Sequence, residues 1–379
     1  MTVIYLDHNA TNPVLPEVFE AMRPYFCEQW GNPSSSYRFG AQLKGVIEST
    51  RGNVAALLGA QPREIIFTSC GTESNNTAIH AALRARPDKR HVVMSAVEHS
   101  SVLAHGQALE RDGYRVTYLP VNQDGLLTLA DLQNALSDDT AVVSLMWANN
   151  ETGVLFPVEQ IAQLCRARGV LFHCDAVQAA GKLPIDLGKV PIDYLAITGH
   201  KLGAPKGIGA LYVHRKAPFT PFLHGGHQER GRRGGTESVP LLVGLGKAAE
   251  LARHRLPEHD RTVRPLRDAL ERGILSTVPE TKLNGHPTER LANTTNIAFH
   301  GVESEALLLL LDQAGVCASS GSACLADSPD PSHVIAAMKR GPSAQQSIRF
   351  SLGAEISAAQ ISDTIGAVQR CVATLAGTR

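Results

Sequence analysis

AITGHKLGAPKGIGALYV, residues 196–213, carries the chain from one strand to another through a turn that holds a lysine. The first strand, YLAIT (194–198), is apolar almost throughout. A Thr-Gly-His-Lys turn ends it, and a glycine-rich stretch leads into GALYVH (209–214). Lys201 therefore stands at a strand end among small residues. A lysine fixed in place and able to lose its proton can form a Schiff base with an aldehyde cofactor. Taken alone, a lysine is most often a surface residue.

Outward from this stretch, short β-rich segments alternate with helical ones from about residue 60 to 215. The other strands are EIIFTS (64–69), HVVMSA (91–96), YRVTYLP (114–120), TAVVSLMW (140–147) and VLFHC (170–174). Several are nearly continuous apolar runs, as strands buried on both faces are. Helices TESNNTAIHAALRAR (72–86) and VEQIAQLCRARG (158–169) lie between some of them. The alternation predicts an α/β fold with a mainly parallel sheet and helices on both faces. Upstream, Phe39, Leu43, Val46, Ile47, Val54, Leu57 and Leu58 follow helical spacing and are expected to form one buried stripe. Near residue 240 the texture changes. A long helix, broken near Pro257, the strand TTNIAFH (294–300), the helix ESEALLLLLDQAG (303–315) and the strand SIRFSLG (347–353) predict a second, smaller α/β domain.

The chain has 379 residues, enough for two domains. Lys plus Arg and Asp plus Glu number 36 each, so no global basic field draws it to nucleic acid or to an anionic membrane. The N-terminus MTVIYLDHNATNPV lacks the basic and apolar regions of a signal peptide. The longest apolar run, near ALLLLL (306–311), is too short to span a bilayer. Seven cysteines in a chain this long do not make a disulfide scaffold. The expectation is a cytoplasmic enzyme with reduced thiols.

The ends of other strands supply groups that match Lys201. In FTSCGTESNN (67–76) a strand runs into Gly71 and Thr72, where a helix starts, and a helix start suits a phosphate. VEHSS (97–101) puts His99 after the next strand, where an imidazole could stack on a cofactor ring. WANNETG (147–153) puts Asn150 after another. In LFHCDAVQAAGK (171–182), Asp175 falls just past a strand, where a carboxylate could pair with a pyridinium nitrogen and keep the ring an electron sink. Each feature alone has a plain structural reading: a capped helix, a turn aspartate, a surface histidine. Jointly they describe a pyridoxal phosphate site at the carboxyl edge of a parallel sheet.

On these residues the chain resembles the cysteine desulfurases of the NifS/IscS family, which share the class V aminotransferase form of the fold type I pyridoxal phosphate enzymes. The likeness is strongest to the NifS branch, associated with nitrogenase maturation. It rests on YLDHNAT (5–11), GNPSS (31–35), FTSCGTES (67–74), WANNETG (147–153), HCDAVQ (173–178), GHKLGAPKG (199–207), GGHQERGRRGGTE (225–237) and SSGSAC (319–324), and covers nearly the whole chain. The resemblance implies a large cofactor-binding domain over 15–258 with a mainly parallel seven-stranded sheet, and a small α/β domain made of 1–14 and 259–379. It implies a Schiff base on Lys201 and a phosphate cup of Gly71, Thr72, Thr198 and His200. Asp175 would meet the pyridine nitrogen, Gln178 the phenolic oxygen, and His99 would stack on the ring and move protons. Asn150 would touch the cofactor and, with Arg349, hold the substrate carboxylate, with Asn32 nearby. The planar fork of an arginine suits that task. Thr236 would reach the phosphate of the neighbouring subunit, which implies a homodimer.

GVCASSGSACLADSPDPSH (315–333) packs Gly, Ser, Ala, Asp and Pro around Cys317 and Cys324, and reads as a mobile surface loop. A thiol belongs there if it must attack the sulfur of L-cysteine at the cofactor, keep it as a persulfide and deliver it outside. Cys324 matches the family's persulfide cysteine, whereas Cys317, on the strand-like AGVCASS, is read as packing. The run LADSPDP after Cys324 is more acidic and proline-rich than is usual in the family. The implied reaction converts L-cysteine to L-alanine and supplies sulfur for iron–sulfur cluster assembly. The implied partner is a scaffold protein, whose cluster Cys324 would contact in passing; no resident metal is expected. The alternatives are a selenocysteine lyase or an aminotransferase on the same fold, or a metal-binding or scaffold protein using His173, Cys174, Cys317 and Cys324. No pair of those cysteines has CxxC spacing.

Overall fold

The computed structural model describes residues 3–321, 331–338 and 341–377, so Cys324 lies outside the described residues. A short strand, β1 (Ile4–Tyr5), comes first. Then β2 (Ile65–Thr68), β3 (His91–Ser95), β4 (Arg115–Leu119), β5 (Thr140–Met146), β6 (Leu171–Asp175), β7 (Tyr194–Thr198) and β8 (Gly209–Val213) form one seven-stranded sheet in the order β2-β8-β7-β6-β5-β3-β4. Only β8 runs against its neighbours; the other pairs are parallel. Two antiparallel steps separate β2 from β7, so β2 points the same way as the parallel strands. The ends of β2, β3, β5, β6 and β7 therefore share one edge, where an open α/β sheet binds ligands.

Apart from the edge strand β4, the strands are buried along their whole length because both faces are covered. Successive residues go to different cores: Ile66, Val92, Met94, Val142 and Leu171 to one, Phe67, Val93, Val143 and Phe172 to the other. This is the period of two that a strand imposes on its side chains. Helix Gly71–Ala85 follows β2 and buries Ala78, Ile79, Ala81 and Ala82 against the first core. Helix Leu43–Leu58 buries Leu43, Ile47, Val54, Leu57 and Leu58 in the second, as its spacing predicts. The predicted stripe is shorter than expected at its start. Phe39 lies on a separate short helix, Arg38–Ala41, where it is exposed and packs edge-on against Trp30; Val46 is only half-buried.

A smaller α/β unit follows. β9 (Thr281–Asn284), β10 (Thr294–Phe299) and β12 (Ser347–Ser351) pair antiparallel in the order β12-β10-β9, while β11 (Val316–Cys317) runs parallel to β1. Their core includes Leu6, Ile297, Phe299, Leu307, Leu311, Ile348 and Phe350. Helix Val239–Thr277 serves both cores. Leu242, Leu245 and Ala249 pack on the large one, and Val263, Leu270 and Ile274 on the small one. The expected break near Pro257 does not occur. Pro257 leaves the Arg253 carbonyl without its helical donor, but both residues are exposed in the stretch where the helix changes cores.

The basic loop 225–237 is tied to the large core by a buried ion pair. Arg51, on helix Leu43–Leu58, grips both carboxylate oxygens of Glu229 at 2.7 and 2.9 Å, and Phe67 N donates to the same carboxylate at 3.0 Å. Glu229 and Arg230 both have left-handed backbones, φ 48° and 59°, an unfavourable state for residues with side chains. The ion pair holds that bend. Arg51→Met, which leaves the Glu229 carboxylate buried without its cation, is expected to cost about 3–5 kcal/mol in urea unfolding. The double change Arg51→Met with Glu229→Gln should cost clearly less, because no buried charge is stranded.

Candidate functional site

At the carboxyl edge of the large sheet lies a cavity of about 180 Å³ lined by Gly71, Thr72, His99, Asn150, Asp175, Gln178, Thr198, His200, Lys201 and Arg349. Ten positions singled out in the sequence are thus brought together. Asn32 and Thr236 are exposed and do not line it. Cys324 is outside the described residues. Cys317 is half-buried in β11, where burial and the Asp312 and Asp7 charges raise its thiol pKa.

Each strand end places one wall. After β2, Cys70 caps the helix: its Sγ accepts from Glu73 N at 3.5 Å. The amides of Gly71 and Thr72, in the first turn, have no intrahelical acceptor. A side chain at Gly71 would meet Val177 Cγ2 at 3.0 Å and Thr198 Cβ at 3.6 Å, so the backbone itself forms this wall. After β3, His99 caps the next helix, Ser100–Arg111; its Nδ1 accepts from Ser101 N at 3.1 Å. At the end of β6, Asp175 is 6% exposed. Its Oδ1 accepts from Val177 N at 2.9 Å and its Oδ2 from Asn75 Nδ2 at 2.7 Å, so the carboxylate is fixed in direction.

β7 delivers Thr198 and the turn Gly199–Lys201. The Lys201 ammonium donates to the carbonyls of Asn9 and Ala10, the latter at 2.5 Å. His200 Nδ1 pairs with Thr11 Oγ1 at 3.1 Å. Burial, with the charges of Lys201, Lys206 and His99, lowers the His200 pKa to about 4, so this imidazole is neutral near pH 7. From the smaller unit, β12 sends in Arg349, only 1% exposed. It donates to Asp7 Oδ1 at 2.6 Å and to the Asn150 carbonyl at 3.1 Å. Its Nε is buried without a partner.

Three further residues complete the site. Asn75 orients Asp175, Asn9 receives Lys201, and Lys182 donates to Gln178 Oε1 at 2.8 Å and to Asn9 Oδ1 at 3.0 Å. All three sit inside quoted motifs, yet an asparagine or lysine whose partners are far away in the chain gives no local signal. Among the described residues no cluster of three His, Cys, Asp or Glu side chains could hold an ion; Cys324, one of the four residues of the alternative metal site, lies outside them. No helix among them is long and apolar enough to cross a membrane.

The arrangement fits pyridoxal phosphate: an amine at one wall, a fixed carboxylate at another, and a helix start closed down to glycine for a phosphate. The comparisons agree. The sequence matches the family model "Aminotransferase class-V" over residues 4–363. It is 55% identical over 362 residues to a protein of Trichormus variabilis named Cysteine desulfurase 2, a match covering 95% of this chain and 91% of that one. It is 50% identical over 377 residues to Cysteine desulfurase NifS of Azotobacter vinelandii, covering 99% of this chain and 94% of the other. A solved structure described as a NifS-like protein superposes with a TM-score of 0.92 at 33% identity, covering 98% of this chain and 100% of that chain.

Glu98, beside His99, is fully buried; Oε1 accepts from Ser95 Oγ at 2.6 Å and Met146 N at 3.0 Å, while Oε2 has no partner. Burial raises its pKa from 4.5 to about 8. The folded state therefore keeps a proton that the unfolded chain gives up, and this contribution to stability is lost as pH rises through that window. Glu98→Gln, a neutral copy of the acid, should gain on the wild type by up to about 1.4 kcal/mol per pH unit on the way up. Urea unfolding of both proteins across this pH range measures it; parallel curves would contradict the burial argument.

Proposed function

This chain belongs to the class V aminotransferase family and, within it, to the cysteine desulfurases; from that premise we propose that it takes sulfur from L-cysteine, leaves L-alanine, and passes the sulfur on through Cys324. The observation that carries the reading is the convergence of Lys201, Asp175 and Arg349 on one cavity. Pyridoxal phosphate bound there supplies an electron sink that makes the Cα proton of cysteine acidic. Gly71, Thr72, Thr198 and His200 hold the phosphate, Asp175 the ring nitrogen, Gln178 the phenolic oxygen, and His99 the ring face. Arg349 and Asn150 bind the substrate carboxylate; Asn32, exposed and outside the lining, is left without a part in this chain's own cavity. The unpartnered Arg349 Nε supports this, because a buried donor calls for an acceptor. Lys201 moves the Cα proton and His99 assists in proton transfer.

The Cys324 thiolate then attacks the substrate sulfur. The new S–S bond forms as the Cβ–S bond breaks, and that bond's electron pair stays on the carbon fragment, which takes up a proton at Cβ, regains the one moved from Cα and leaves as alanine. The persulfide on Cys324 goes to a scaffold protein for iron–sulfur clusters. Nitrogenase maturation is the narrower assignment, supported by the NifS name of the Azotobacter vinelandii relative. A homodimer is proposed because Thr236 is exposed and away from its own chain's cavity, as a residue serving the neighbouring subunit would be. The division into 15–258 and 1–14 with 259–379 is supported by the change of core along helix Val239–Thr277 and by Leu6 in the small core. A cytoplasmic location is part of the same proposal.

Lys201→Ala should lose both the visible absorbance of the holoenzyme and turnover; a variant with normal rates removes Lys201 from its role. Cys324→Ser should keep cofactor and bind cysteine, while alanine and sulfide production fall by ~10³ or more. In the wild type treated with cysteine, mass spectrometry should find an added sulfur on the peptide holding Cys324. Sulfur found only on Cys317, or on no cysteine, defeats the assignment.

A further inference from the structure

Gln178 lines the cavity, and the orientation of its amide decides whether it offers the cavity a donor or an acceptor. Its Oε1 accepts from Lys182 Nζ at 2.8 Å, and its Nε2 donates to the Asn9 carbonyl at 2.9 Å. Lys182 also donates to Asn9 Oδ1 at 3.0 Å. An ammonium has three donors and no acceptor. Two amides that face it are therefore forced to present oxygen, and turning the Gln178 amide over would set Nε2 against the ammonium. With the amide locked, one Nε2 hydrogen serves Asn9 and the other is left for an occupant of the cavity.

We propose that Lys182 is a positioning residue that acts through Gln178, holding its Nε2 as the donor to an anionic oxygen of the bound cofactor; this rests on the reading of Gln178 given above. The lysine follows Gln178 by four residues, and both lie in one run of turn over 177–182, so the two side chains meet without help from distant elements. A second cavity of about 170 Å³, lined by His8, Lys182, Lys201 and His259 among others, gives the remaining donor of Lys182 room for water. Burial, with the charges of Lys201 and Arg349, brings the Lys182 pKa down to about 7. An anion in the main cavity offsets those charges and so favours the protonated, locking form.

The test uses the full-length protein freed of cofactor and titrated with deoxypyridoxine phosphate, which has no aldehyde and so reports the contacts without the link to Lys201. Gln178→Ala and Lys182→Met should each weaken binding roughly tenfold or more, as loss of a hydrogen bond to a charged group does. The double variant should bind no worse than Gln178→Ala, because the lysine acts through the glutamine. Lys182→Arg, also a donor without an acceptor, should restore affinity and the position of the visible band in the holoenzyme. Unfolding temperature separates this from general damage. Should Lys182→Met fail to fold, Lys182→Ala carries the same expectation. Wild-type affinity in the lysine variant beside a weakened Gln178→Ala, or losses that add in the double variant, overturns the inference alone. Wild-type affinity in Gln178→Ala overturns the reading of Gln178 and the inference with it.

Discussion

Asn9, 2% exposed, spends every polar atom on joining parts of the chain that are remote in sequence. Its carbonyl accepts from Lys201 and Gln178, and its Oδ1 from Lys182 and Asn293. Its Nδ2 donates to the Asn150 carbonyl and to Thr294 Oγ1, and its N–H to Ser351 Oγ. One residue of the N-terminal segment thereby fixes Lys201 after β7, Gln178 after β6, Asn150 after β5, and the two strands β10 and β12 of the smaller unit. A buried amide satisfied this fully is rigid, because losing any one partner strands a polar group. The placement of Lys201 and Arg349 in one cavity depends on it.

The cavity is cationic by construction. Lys201 and Arg349 line it and Lys182 stands behind Gln178, while Asp175 and Asp7 supply the nearby negative charge. Taken out of water, cations this close favour whatever anion can enter. The neutral His200 adds polarity without another charge.

Local patterns made much of this readable in advance. Apart from the edge strand β4, the strands of the large sheet are covered on both faces, so their apolar runs are visible without knowing their neighbours. Lys201, Asp175, Gly71 and Thr72 sit at strand ends, a position the pattern itself marks. What stayed hidden depends on distant partners. Asn9 and Lys182 matter through residues far from them in the chain or across a turn, and Asn75 through Asp175, 100 positions away. Phe39 obeys the helical spacing but falls on a separate short helix, and Pro257 is tolerated only because both it and Arg253 face water. β9, with an exposed lysine and a polar end, has too little apolar character to stand out.

The pairing of β1 with β11, and of Asp7 with Arg349, has a consequence for how the protein is made. The ribosome makes Asn9 well before Arg349, a separation of about 20 to 70 s at usual elongation rates of ~5–20 residues per second. During that interval the large sheet can already collect its strands, and Lys201 emerges with its two carbonyl acceptors tied to the large unit alone, through Asn150, Gln178 and Lys182. Leu6 has no core to enter until β10, β11 and β12 exist. The segment that receives Lys201 therefore gains its ties to the smaller unit only once residue 349 and its neighbours have been made, and a nascent chain cut short before residue 349 holds that segment by the large unit alone.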